Sequence, residues 1–474
     1  MNATPGDTSI RQWTLATGVE PTLRVGIILD QDACDRVCLR LPDQPYRIER
    51  SGAAPAALDP QTPIEVRRDA GLLALRIGDA PAHQAPSLRL TPARPVEGRG
   101  LATPATATSA AGAGVLVRDV PAGRGFHWQK RIDQTLTGAL ELLPGARGIV
   151  LVNELGLEDY LAGVITAEMS GACPLEFLKA QCIAARSWLL ALTEAKHAGE
   201  PFDRCNDDCC QRYQGTGDLS ASALLASRAT RGRVLLAPAG HVLDANYSKS
   251  CGGISESPRT IWGSDKPGLS AVVDAPPGAD AQRFFPVTDD NLDEYLAGSW
   301  LKTTPVYCSP NVVPPEAIGR YLGRVDEAGD YFRWTLHYTR AALQALLREK
   351  LAQARDLVEL RAVRVMQRGV SGRASRLALH WLDAAGRQVR TALDSEYRIR
   401  QTLHQRFLYS SAVAFHVKRD DAGRIVSVTI RGAGWGHGVG LCQIGALGMA
   451  LCGSDHESIC RHYYPAARLA TAYP

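Results

Sequence analysis

The apolar pattern of this 474-residue chain changes period part-way along, and that change limits its fold more than any other feature. From Arg24 the apolar residues fall in short β-branched runs (RVGIIL, RVCLRL, GLLALRIG) separated by Asp, Pro and Gly, a pattern that reads as strands. LTGALELL and GIVLVNEL continue it. At Asp159 the spacing becomes helical: Tyr160, Leu161, Val164, Ile165 and Glu168 follow, which puts Glu168 on the face of Leu161, Val164 and Ile165. After a break at SGACP, Pro174 opens a second helix that Gly199 stops, with Leu178, Cys182, Ala185, Trp188, Leu189 and Leu192 as its apolar face. Strands GRVLLAP and HVLDANYS come next. A helix at TRAALQALLREKLAQARD, with Thr339 as N-cap, precedes a strand LVELRAVRVMQ and a hairpin SRLALHWLDAAGRQVRTAL. Helices mixed with antiparallel strands in this order predict an α+β fold. Residues 92–114, rich in Ala, Thr, Pro and Gly, read as a surface loop.

Composition narrows the function classes. The chain is 45% hydrophobic and 22% charged, as ordinary globular proteins are, with a formal charge of +4. Its arginines are scattered without a dense basic block, so nucleic acid is not an expected partner, whereas an anionic glycan is compatible. No apolar run reaches the roughly 18 residues of a membrane span. The N-terminal MNATPGDTSIRQWTLATG lacks a charged segment followed by an apolar one, so no signal peptide is expected. The 12 cysteines divide unevenly: Cys205, Cys209 and Cys210 are tightly grouped, while Cys34/Cys38 and Cys442/Cys452/Cys460 are looser.

Four segments carry residues with chemistry. Glu168 lies on an apolar helix face just before a Gly/Pro break. Burial there would raise its pKa and let it hold a proton near neutral pH as a general acid; the same spacing also suits a carboxylate that merely pairs with a nearby Arg or Lys. In HAGEPFDRCNDDCCQRYQG, His197, Cys205, Cys209 and Cys210 supply one imidazole and three thiols, a donor set for tetrahedral zinc, with a disulfide or free thiols as the other readings. In RGAGWGHGVGLCQIGALGMA, glycines at 432, 434, 436, 438 and 440 alternate with Trp435 and His437. No Gly-Lys-Ser/Thr follows, so phosphate cradling is not expected. An indole for sugar stacking and an imidazole for hydrogen bonding fit a ligand wall; a tight structural bulge is the plain alternative. NYSKSCGGISES, with Tyr247, Ser248 and Cys251, is a strand end presenting hydroxyls or simply a turn.

Taken in order, VNELGLEDYLAGVITAEM, PLEFLKAQCIAARSWLL, CNDDCCQRYQG, ANYSKSCGGISES with the downstream Trp262, and GWGHGVGLCQIGALGMA with HYYP resemble the SpoIID/LytB family, the stage II sporulation protein D-like proteins. The resemblance covers 146–474. It implies a grooved catalytic domain there, with a mixed segment inserted at 275–410, after a polar tail (1–20) and a strand-rich region (21–145). It further implies a lytic transglycosylase acting on peptidoglycan glycan strands, preferentially denuded ones, at one site built from the Glu168 segment and the His437 loop. Glu168 matches the family's catalytic glutamate. Arg186 matches its arginine after the second helix and is expected to pair with Glu168 or hold a substrate carboxylate. Lys179, Gln181, Tyr247, Ser248, Trp435, His437 and Gln443 are expected groove residues. The family's zinc site in the cysteine loop implies zinc at His197, Cys205, Cys209 and Cys210. With four protein ligands it would be structural. Two positions depart from the pattern: Cys209, where relatives often carry histidine, and Ser170, where they often carry proline.

Other readings compete. Some relatives are amidase enhancers, so the chain is alternatively a non-catalytic partner of a cell-wall amidase. A cysteine-nucleophile hydrolase using Cys210 or Cys251 with a histidine is a second alternative, and a zinc-stabilised glycan-binding module a third. The substrate implies a periplasmic or extracellular location.

Overall fold

The computed structural model describes residues 10–11, 13–51, 53–93, 114–125, 129–191, 193, 196–302, 306–323, 326 and 329–474. The polar tail to residue 9, most of the 92–114 loop and Leu192 lie outside them. The fold is α+β, and the chain divides into two compact units: 1–234 with 320–326 and 470–474, and 235–319 with 327–469.

In the first unit the short apolar runs form β1 (Thr22–Ile28), β2 (Arg36–Arg40), β3 (Tyr46–Arg50), β4 (Ala56–Leu58), β5 (Pro63–Asp69), β6 (Leu72–Ile77), β7 (His83–Ala85), β8 (Leu88–Pro92), β9 (Val115–Ala122), β10 (Lys130–Leu136), β11 (Ala139–Pro144), β12 (Ile149–Gly156) and β13 (Arg204–Cys205). They make a seven-stranded sheet, β13-β1-β12-β11-β8-β3-β4, and a six-stranded one, β10-β9-β2-β5-β6-β7. Alternation sets the buried face: Val37 and Leu39, Ile64 and Val66, Leu73 and Leu75 point inward while their neighbours are more exposed. The central strand β12 is buried without alternation from Ile149 to Asn153, as a strand covered on both faces must be.

Strand β12 runs directly into helix α1 (Leu157–Glu168), whose first turn carries Glu158 and Asp159 at the positive end of the helix dipole. The helix stops at Glu168 because Met169 turns extended. Pro174 caps α2 (Leu175–Leu190), and α3 (Ala221–Ala229), capped by Ser220, packs on both. Helix α2 ends earlier than its apolar pattern predicts. Gly199 sits in a separate turn with φ +86° rather than at the end of the helix. Leu178, Cys182, Ala185 and Leu189 are buried as expected, and Trp188 is half-buried.

In the second unit the strand Arg333–Thr339 pairs with Ile425–Ala433, which pairs with Val413–Arg419; Leu357–Arg368, Ala374–Asp383 and Gln388–Leu393 form a second antiparallel sheet. Helix Arg340–Lys350 begins where Thr339 accepts from the Ala342 amide at 3.2 Å, and its Leu343 and Leu347 join Trp334, Leu377, Trp381, Val428 and Ile430 in one core. A helix at Gln443–Leu451 has no counterpart in the sequence reading. Gly445 and Gly448 disfavour helix locally. They are there for packing: a Cβ at 445 would strike Tyr463 and Asp274, and one at 448 the Tyr307 carbonyl. Among the described residues, no helix is long and apolar enough to cross a membrane.

Candidate active site and metal centre

Glu168 is the last residue of α1 and is buried, 9% exposed. Its Oε1 accepts the backbone N–H of Arg212 at 3.1 Å. The Arg212 guanidinium is itself pinned, with Nε donating to Asp208 at 3.0 Å and Nη1 to Asp326 at 2.8 Å. Burial alone would lower its pKa, but Asp208, Asp326 and Glu168 outweigh burial and hold it firmly protonated. The carboxylate thus sits in a desolvated place beside a fixed cation and a fixed amide. The α1 residues Gly163, Thr166 and Ala167, with Ser170 just past the helix, line an adjacent cleft of about 330 Å³ with Gln214 and Asp218; Glu168 is not among its lining residues. Ser170, the departure from proline, uses the amide that proline lacks: its N–H donates to the Tyr321 carbonyl at 3.0 Å.

The loop that delivers the Arg212 amide is the cysteine loop. The Sγ atoms of Cys205, Cys209 and Cys210 and a ring nitrogen of His197 lie within 4.8 Å of one another. Cys205 is anchored on β13 beside β1 and packs with Leu29, Val150, Val152 and Phe202. Cys210 Sγ lies 3.3 Å from His197 Nε2, and Cys205 Sγ 2.8 Å from Cys209 Sγ. Hydrogen bonds from Cys205, Cys209 and His197 hold the Cys210 thiol far below the usual range, while sharing with Cys209 pushes Cys205 far up. Four converging soft donors suit a tetrahedral thiophilic ion, and Cys209 serves as well as histidine. Asp207 steadies the loop by accepting from the Gly123 and Arg124 amides at 3.0 and 2.8 Å.

Three further residues expected at the site lie on α2. Arg186 is fully buried and forms a bidentate pair with Glu158 (2.9 and 2.6 Å), while Nη1 donates to the Arg233 carbonyl at 2.9 Å. It therefore neither pairs with Glu168 nor reaches a ligand. Glu158 also accepts from Ser227, Gly232 and Tyr473, which makes this pair the polar centre of the α1–α2 packing. Gln181 is likewise fully buried in α2. Lys179 keeps partial exposure but its Nζ is 2.6 Å from Glu176.

In the second unit the alternating glycines make a loop that few side chains would permit. Gly434, Gly436, Gly438 and Gly440 all have φ between +72° and +89°. At 438 a Cβ would also strike the Arg373 guanidinium, which is fully buried and donates to Ser371 and to the carbonyls of Cys251, Ser250 and Gly436. His437 is half-buried, its Nδ1 accepting from the Val439 amide at 3.0 Å. Burial and the charges of Arg373, Arg400 and Lys266 push its pKa down to about 3, so the ring is neutral. Ser248 is buried and accepts from the Gly438 amide at 3.1 Å, and Tyr247 is half-buried beside it. Trp435 stacks on Tyr409 at 4.3 Å, which covers one indole face. Gln443 is buried at the start of its helix. Trp262 is the accessible aromatic here: it is 40% exposed, tilted against His437 at 5.2 Å, with Lys266 Nζ 4.3 Å from its ring. Cys251 is buried among Cys308, Asp274 and Cys442, where no substrate reaches it as a nucleophile.

The chain matches the profile of the stage II sporulation protein family, SpoIID, over residues 146–236, the stretch that holds Glu168 and the cysteine loop. The chain carries a SpoIID segment over these residues. Beyond the family's profile, residues 261–440 match a domain of unknown function, DUF8618. An uncharacterized protein of Brachyspira hyodysenteriae is 28% identical over 69% of this chain and 70% of its own length. The amidase enhancer of Bacillus subtilis is 26% identical over 66% of this chain, which spans only 40% of that protein. Stage II sporulation protein D of the same organism is 24% identical over 68% of this chain and 76% of its own length.

Proposed function

We propose that this SpoIID-family chain acts on the bacterial cell wall as a lytic transglycosylase of peptidoglycan glycan strands, with Glu168 as general acid and then base. The observation that carries the reading is the Glu168 carboxylate: buried at the end of a rigid helix, with one oxygen held by the Arg212 amide. One carboxylate suffices for this reaction where hydrolytic glycosidases use two. Protonated Glu168 gives its proton to the glycosidic oxygen as the bond to muramic C1 breaks. The carboxylate so formed takes the proton of the same sugar's C6 hydroxyl while that oxygen bonds to C1, closing a 1,6-anhydro ring. Proton and charge balance without water.

His197, Cys205, Cys209 and Cys210 would hold zinc, which supplies a structural cross-link for the loop. The loop's own work is to present the Arg212 amide to Glu168, since Arg212 follows Cys210 by two positions. Action on peptidoglycan places the protein in the periplasm or outside the cell. Incubating the full chain with denuded glycan and detecting anhydromuramic products by mass spectrometry tests the reading. The relative named amidase enhancer favours a second one, stimulation of a cell-wall amidase, in which Glu168→Gln leaves the stimulation unchanged.

A further inference from the structure

The second unit holds a metal-type donor set that the family's cysteine loop does not account for. The thiols of Cys251, Cys308 and Cys442 and a carboxylate oxygen of Asp274 lie within 4.8 Å of one another, and none of the four residues is more than 3% exposed. From these side chains we infer that the second unit contains a buried, structural zinc site of the Cys₃Asp type.

The spacing is that of a mononuclear ion. Cys251 Sγ and Cys308 Sγ are 3.8 Å apart. Metal–sulfur bonds of about 2.3 Å at tetrahedral angles give an edge of about 3.8 Å. Donors set this close together suit one ion, whereas the several irons of a cluster would need them spread apart.

The surroundings are arranged for thiolates and a carboxylate. Cys442 Sγ accepts the amides of Cys251 at 3.1 Å and Gly445 at 3.3 Å, and Cys251 Sγ accepts the amide of Gly253 at 3.4 Å. Amides aimed at sulfur stabilise the deprotonated form that binds a metal. Asp274 Oδ2 accepts the Cys308 amide at 2.9 Å, and Oδ1 the Tyr463 hydroxyl at 2.5 Å. Both donors are neutral: they orient the carboxylate but bring no compensating charge, so its ionised form is costly to bury without a cation. A divalent ion supplies that charge. The soft, thiolate-rich set selects zinc over magnesium or calcium. With four protein ligands there is no open position, so the ion is structural.

Its place in the fold gives it a task. Cys442 ends the strand Leu441–Cys442, caps the helix Gln443–Leu451 through the Gly445 amide, and follows the glycine loop that carries His437. Cys251 lies just past Tyr247–Ser248, the strand that pairs with Leu441–Cys442. An ion here ties the C-terminal ends of both strands of that parallel pair to the segments around Asp274 and Cys308, next to the glycine loop.

The test is zinc content per chain, by elemental analysis and native mass spectrometry of the full-length protein purified without chelator. Two zinc ions are expected in the wild type. One should remain in the double variant His197→Ala/Cys210→Ser, and one should be lost in Cys308→Ser. A folded double variant without zinc overturns the site, as does a Cys308→Ser protein that retains both ions. So does non-reducing peptide mapping that finds Cys251 bonded to Cys308 or Cys442. Should the variants fail to fold, the wild-type count decides: two ions support the site, and one or none refutes it.

Discussion

The Glu168 carboxylate accepts the backbone amide of Arg212, 44 residues further along, at 3.1 Å. A main-chain donor holds the acid whatever side chain residue 212 carries, so the contact is insensitive to most substitutions there. Glu168→Gln keeps an acceptor oxygen, while Glu168→Ala leaves the buried amide without this partner. We expect the alanine variant to be less stable than the glutamine variant by about 1–3 kcal/mol. Chemical denaturation of both against the wild type measures the difference.

Arg186 and Glu158 make the second relationship that the fold depends on. Arg186→Met leaves a buried carboxylate uncompensated and should cost about 3–5 kcal/mol, read as a lower denaturation midpoint. Burial pushes the Glu158 carboxyl up, but the charge and hydrogen bonds of Arg186, with Tyr473 and Ser227, more than reverse it and leave it below the ordinary range. A depressed folded-state value means stability that is complete above the unfolded value, about 4.3, and is lost as pH falls through the folded one. Wild-type stability should therefore fall below pH about 4.3 more steeply than that of Glu158→Gln.

The proposed zinc at His197, Cys205, Cys209 and Cys210 predicts that its removal loosens the loop that presents the Arg212 amide. Cys210→Ser is expected to retain zinc at least about tenfold less well than the wild type in a competition with chelator. Its Arg212 amide should exchange with deuterium faster. Glycan cleavage should fall in parallel and return when zinc is restored to the wild type after chelation.

His437 should be a neutral hydrogen-bonding ring at every physiological pH. Its pKa is pushed down to about 3 by burial and by Arg373, Arg400 and Lys266. The unfolded chain then binds the extra proton between about 3 and 6.5, so this residue's contribution to stability declines as pH falls through that window. NMR of the imidazole protons should show no titration between pH 5 and 8.

How far the sequence alone leads depends on how local the determinants are. The helix that ends at Glu168 is legible because Leu161, Val164, Ile165 and Glu168 carry the helical period on their own. The His197–Cys210 set is legible because its four donors lie within one loop. Arg186 is misread because an arginine at that point of a helix does not reveal its carboxylate; Glu158 lies 28 residues back, on another helix. The Arg212 amide leaves no trace in side-chain chemistry. The Gln443–Leu451 helix is hidden by glycines that serve packing against Tyr307, Tyr463 and Asp274. Cys251, Asp274, Cys308 and Cys442 come from four separate segments, so no spacing connects them until the chain is folded.

In the proposed reaction Glu168 moves the proton of a non-hydrolytic glycan cleavage. The most direct measurement is product analysis by mass spectrometry after equal amounts of folded wild type and Glu168→Gln act on denuded glycan. The wild type should leave 1,6-anhydromuramic ends, with a loss of about 10²–10⁴-fold in the variant. Equal product from both proteins, or reducing muramic ends in place of anhydro ones, would contradict the proposed reaction.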